Sequence, residues 1–270
     1  MDYQAILMAG LFGGLGAGGG ALLGRLLSKT IKLNPGVLAG IGAAVGLALT
    51  RLIDFSPANT EDIRNQLEVG FANNSMFAQI NAGFPEEYAT FVDGMVAEAR
   101  RLTPEQARQR GHDFTSGLRR QNAIAIRNAS DESLRAALTV QMATLTAFKD
   151  KLGVQACAEY LAAVVPIDLA PQLNQSLLDE GEALFEAIID GRSSEISTPS
   201  ATPADWDALI EHWYARGGTP EAFVTFTNPE ANDPALCDNS ISFLDALISM
   251  DGDVGKIVRA ESLYQSAAEG

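Results

Sequence analysis

The chain has 270 residues with 34 acidic and 19 basic side chains, a formal net charge of −15 at pH 7. A surface of that sign repels polyanions, so DNA and RNA are excluded as partner classes. The two cysteines, Cys157 and Cys237, form no C-x-x-C redox pair and by themselves no zinc site.

Two glycine-laden apolar runs come first in the chain, over 6–27 and 37–53, with Arg25 and Arg51 near their ends. About 20 apolar residues rising 1.5 Å each cross the ~30 Å hydrocarbon core, and the uncharged stretch 6–24 nearly fills that length. The second run reaches it if Arg51 snorkels to the interface and the helix tilts or the bilayer thins. We expect a transmembrane hairpin with helices over 6–27 and 36–53, forming an anchor over 1–55. A hairpin buried in a protein core is the competing reading. Gly10, Gly14 and Gly18 recur every fourth residue, as do Gly16, Gly20 and Gly24, then Gly36 with Gly40 and Gly42 with Gly46. Residues i and i+4 share a helix face, so each series makes a groove in which two backbones can approach. The pattern suits packing of the two spans on each other or self-association through them.

Gly14, Gly16 and Gly19 also fit G-x-G-x-x-G. A dinucleotide site needs an acidic residue about 20 positions on, and residues 30–42 hold no Asp or Glu. No strand–helix alternation follows, and no cofactor is expected. Orientation comes from charge: Arg25, Lys29 and Lys32 lie between or at the facing ends of the spans, while only Asp2 precedes the first. Short basic loops stay cytoplasmic. Everything after residue 55 then lies on the far side, in the periplasm of a bacterial inner-membrane protein. The start lacks a positive n-region, so an uncleaved anchor is expected in place of a signal peptide.

The first 55 residues hold four basic and two acidic side chains, which leaves 15 basic and 32 acidic in the rest, a net of −17. The signals in this acidic part are helical. Thr60 with Glu61 and Asp62 opens a helix to about Gly70, and Pro85-Glu86-Glu87 opens another. Thr103 to Gln106 reads as a capping box, and Ser130 caps a helix that ends in Lys151-Leu152-Gly153. Helices follow over 154–165 and over 169–189, the latter closed by Gly191. Beyond a Ser/Thr-rich linker at 192–202, helices start at Thr202-Pro203 and Thr219-Pro220, and two more cover 239–250 and 252–268. Residues 222–227 are the best candidate for a strand. The expected fold class is all-α: the glycine-rich hairpin, a helical domain over 56–191, the linker, and a C-terminal helical subdomain over 203–270, or one helical domain with a long loop. Cys157 and Cys237 either pair, as an oxidising compartment favours, or stay buried thiols.

Catalytic signals are sparse. His112, between Gly111 and Asp113, reads as a polar interruption of a helix, and His212 as a rim histidine. Glu86, Glu87 and Asp93 read as a solvated helix face, and Asp251-Gly252-Asp253 is only a fragment of a calcium loop. No catalytic, cofactor or metal residue is assigned. The expected function is a membrane-anchored helical protein that binds other proteins or serves as an accessory or structural subunit of a membrane complex. An anchored hydrolase-type enzyme and a self-associating glycine-zipper membrane protein are the alternatives.

Overall fold

The computed structural model describes residues 60–161, 173–227 and 233–269. The expected membrane hairpin, with its glycines from Gly10 to Gly46, lies outside the described residues. Among the described residues no helix is long and apolar enough to cross a membrane. Those residues are all-α: eleven α-helices and one short 3-10 helix. In chain order they are α1 (Thr60–Ala72), α2 (Ser75–Gly83), α3 (Pro85–Glu98), α4 (Pro104–Asn122), the 3-10 helix (Ala123–Asn128), α5 (Asp131–Leu152), α6 (Val154–Leu161), α7 (Asn174–Ser193), α8 (Pro203–Ala215), α9 (Pro220–Thr227), α10 (Ala235–Ser249) and α11 (Gly252–Glu269).

Helix α5 is the hub. Ser130 Oγ accepts from Ser133 N at its start, and Gly153 stops it at φ 91°, a left-handed value that glycine adopts without a Cβ penalty. Between these ends Leu134, Leu138, Leu145 and Phe148 are buried, and α6, α7, α10 and α11 all pack on it. The helices after segment 194–202 therefore pack directly on helices before it. Arginines at the junction strengthen that packing. Arg259 of α11, fully buried, donates through Nε to Asp131 Oδ1 at 2.9 Å and through Nη1 to Leu247 O at 2.9 Å and Met250 O at 2.6 Å. Arg135 of α5 donates to Met250 O at 3.0 Å and also to Ile248 O. Two side chains thus satisfy carbonyls that the end of α10 leaves open.

Four local expectations need correction. Helix α7 does not stop at Gly191 but runs to Ser193. A Cβ on Gly191 would sit 1.9 Å from Ala125 O, so this glycine permits close approach of α7 to the 3-10 helix. His112 does not interrupt α4, whose Thr115 Oγ1 bonds back to Gly111 O at 3.0 Å. Residues 222–227 belong to α9, nucleated by Pro220 and by Thr219 Oγ1 accepting from Ala222 N at 3.1 Å. Helix α2 is an addition: Asn74 Oδ1 accepts from Phe77 N at 3.1 Å, and Met76, Phe77 and Ile80 are buried.

Candidate functional site

The turn over 99–103 reverses the chain between α3 and α4. Pro85 sets the first turn of α3, where Glu86 and Glu87 complement the positive end of the helix dipole. The Thr103–Gln106 capping box sets the start of α4. Two contacts fix the register of this antiparallel pair. Arg110 Nη2 lies 2.9 Å from Glu98 Oε2, and the rings of Phe91 and Phe114 stack with centroids 4.2 Å apart and planes 7° from parallel.

Between the helices lies an open cavity of about 530 Å³. Helix α3 lines it with Glu86, Glu87, Thr90 and Phe91, two i, i+4 rows. Helix α4 lines it with Asp113, Gly117 and Gln121 on one row and Phe114 and Leu118 on the next. Gly117 widens it, since a Cβ there would meet nothing within 4 Å. The register puts Glu86 and Glu87 toward the Gln121 end and Asp113, beside the stacked phenylalanines, toward the turn. Asp113 accepts from Gln109 Nε2 at 2.8 Å and lies 3.3 Å from His112 Nδ1. The Gln109 hydrogen bond leads in holding its carboxyl below the usual range, so it is ionised at neutral pH. The lining carries three carboxylates and no cationic side chain.

Of the other side chains singled out in the sequence, His112 meets the groove through Asp113, and the rest lie apart from it. Asp93 pairs with Arg64 of α1. Neither histidine lines the groove. His212 Nε2 is 3.3 Å from Ser249 Oγ, whose hydroxyl also lies within donating distance of Ala246 O. Asp251 lies 3.2 Å from Arg135 Nη2. No group of three His, Cys, Asp or Glu side chains is placed to hold a metal ion among the described residues. Cys157 of α6 and Cys237 of α10, both buried, are joined by a disulfide with Cα atoms 5.6 Å apart.

Two acids absent from the sequence reading are buried: Glu261 pairs with Arg127 at 2.8 Å, and Glu180 has no cationic partner among the ion pairs of the described residues. Glu180 of α7 is 4% exposed, with Thr144 of α5 and Tyr160 of α6 as its polar neighbours. Burial pushes its carboxyl up to about 8, against the lowering influence of those two hydroxyls. Glu180 Oε2 and Tyr160 Oη lie close without completing a well-directed hydrogen bond. The signal was in the spacing: Glu180 interrupts the buried apolar row Leu177, Leu184 and Ile188.

In comparisons with known proteins, no family, no characterised protein and no solved structure matches the chain.

Proposed function

We propose that this protein is a membrane-anchored accessory subunit: a glycine-packed hairpin over 6–53 holds it in the bilayer, and its acidic helical domain binds a partner protein. The observation that carries the binding half is the α3–α4 groove. It is a concave surface with half-buried aromatic rings, a carboxylate rim, and walls built on α3 and the capped helix α4. Aromatic anchors in a concave site with a polar rim are what protein recognition uses. The anchoring half is supported by the uncharged run 6–24 and the four-residue glycine spacing. The far-side placement of the domain rests on Arg25, Lys29 and Lys32.

The test is site-specific photocrosslinking in intact membranes. A photoreactive residue at Thr90 or Gln121, inside the groove, should give one discrete heavier adduct. The same residue at the exposed Val224 should not. Gly117→Leu, which fills the cavity, should abolish the Thr90 adduct. Adducts from Val224 equal to those from Thr90, or no adduct at either groove position, would overturn the assignment of partner binding to this groove.

A further inference from the structure

We infer that the occupant of the α3–α4 groove is a basic amphipathic helix of a partner protein, about two turns long, with arginine or lysine on either side of a central apolar residue. This rests on the partner-binding reading above and adds the partner's chemistry. Three features of the groove specify it.

The first is length. Asp113, Gly117 and Gln121 run along one row of α4. Eight steps of 1.5 Å give a trough about 12 Å long, which matches about two turns of a partner helix. Gly117 lies at the middle of that row with open space where a side chain would stand, so a helix can settle between α3 and α4 there.

The second is the order of the chemistry along the trough. The Phe91–Phe114 stack forms an apolar floor beginning beside Asp113, and Leu118 extends it past the middle. Glu86 and Glu87 lie toward the Gln121 end and Asp113 beside the stack at the other. A helix with a leucine-like side chain over the middle of the floor and a cation toward each end meets all three at once. The long stems of arginine and lysine cover the rings' edges while their heads reach the carboxylates.

The third is charge complementarity. The residues after 55 carry a net of −17. A domain of that sign steers cationic partners toward it and repels acidic ones. The groove localises that preference, because its lining has carboxylates and no lysine or arginine. Asp113 is held ready by Gln109 and His112, both on its own helix, so it needs no rearrangement to accept a cation.

The experiment uses the full chain in mild detergent and three labelled helical peptides of equal length, followed by fluorescence anisotropy. One peptide places arginines one turn before and one turn after a central leucine. The second has the same composition with the arginines clustered at one end. The third replaces the arginines by glutamine. The first should bind tightest. The triple variant Glu86→Gln, Glu87→Gln, Asp113→Asn should weaken it by about ten-fold at 0.1 M salt, since each surface pair contributes only modestly. Gly117→Leu, which keeps every charge, should weaken it as much. Neutralising three carboxylates outside the groove, Glu195→Gln, Glu221→Gln and Asp253→Asn, should change affinity less than two-fold. Three results overturn the inference: equal binding of the clustered peptide, equal binding of the glutamine peptide, or an equal effect of the distant neutralisation. A partner crosslinked at Thr90 that lacks such a basic segment would overturn this inference and leave the partner-binding reading standing.

Discussion

Cys157 on α6 and Cys237 on α10 are covalently joined, and the extended segment 194–202 lies between them in the chain. The bond therefore bridges the longest stretch without helix among the described residues. That stretch is mostly exposed, with Glu195, Ile196, Ser197, Pro199 and Ser200 open to solvent. Its backbone hydrogen bonds include a local one, Ile196 N to Ser194 Oγ at 3.1 Å, and one to the 3-10 helix, Thr198 N to Asn128 Oδ1 at 3.3 Å. Exposed extended chain of this kind is where proteases cut. Brief treatment with a glutamate-specific protease should cleave after Glu195. The two fragments should migrate as one band without reductant and as two with it. Two bands in the absence of reductant would remove the disulfide. Cys157→Ser should lower stability by up to about 4 kcal/mol, the chain-entropy value for closing a loop of roughly 80 residues.

Two glycines should respond in opposite directions to the same substitution. Gly191→Ala places a methyl 1.9 Å from Ala125 O, where backbone must move, and should cost about 1–3 kcal/mol. Gly117→Ala places its methyl in open space on a helix, and should gain about 0.5–1 kcal/mol from helix propensity. Thermal unfolding followed at 222 nm reads both. A neutral Gly191→Ala would mean that α7 and the 3-10 helix do not approach as closely as described.

Gly191 and the helix caps show what a sequence reveals and what it hides. Capping motifs are local, and Thr103, Ser130 and Thr202 each start a helix where the spacing of their hydrogen-bonding partners says they should. Gly191 carries the usual mark of a helix stop, yet its purpose lies in a contact with residue 125, far away in sequence. Residues 222–227 carry strand-forming side chains, and the Pro220 start and Thr219 cap override that preference. The groove was hidden for a related reason. Glu86 and Asp113 are ordinary surface acids on their own helices, and only the Glu98–Arg110 and Phe91–Phe114 contacts bring the two rows to face each other.

The anchor can be tested apart from the domain. If residues 6–27 and 36–53 span the bilayer, the chain should stay with membranes through alkaline extraction and leave them only with detergent. A phosphatase fused after Gly270 should be active if Arg25, Lys29 and Lys32 hold their loop in the cytoplasm. A cytoplasmic fluorescent reporter that works there instead would reverse the topology. Replacing Gly14 and Gly18 by leucine should loosen span packing by about 1 kcal/mol or more per site, because the added side chains hold the backbones apart.

Glu180 gives the domain a pH dependence of unusual sign. In the folded chain its carboxyl is pushed up to about 8 by burial, against 4.5 when exposed. Below 4.5 both states are protonated and the full contribution to stability is present. Between 4.5 and 8 the unfolded chain has released this proton and the folded chain retains it, so stability falls as pH rises. The slope approaches about 1.4 kcal/mol per pH unit from this one group, and it levels off above the folded value. Asp113 acts in the opposite sense because its folded form favours the charge. Wild type should therefore be compared with Glu180→Gln, which keeps the shape and cannot ionise. Denaturant unfolding at pH 5, 6, 7 and 8 should show the variant gaining on wild type by a few kcal/mol across the series. Tyr160→Phe removes a hydroxyl that favours the carboxylate, so it should move the end of this window to higher pH. A constant stability difference between wild type and Glu180→Gln across the four pH values would show that the carboxyl titrates alike in both states, and that water reaches it.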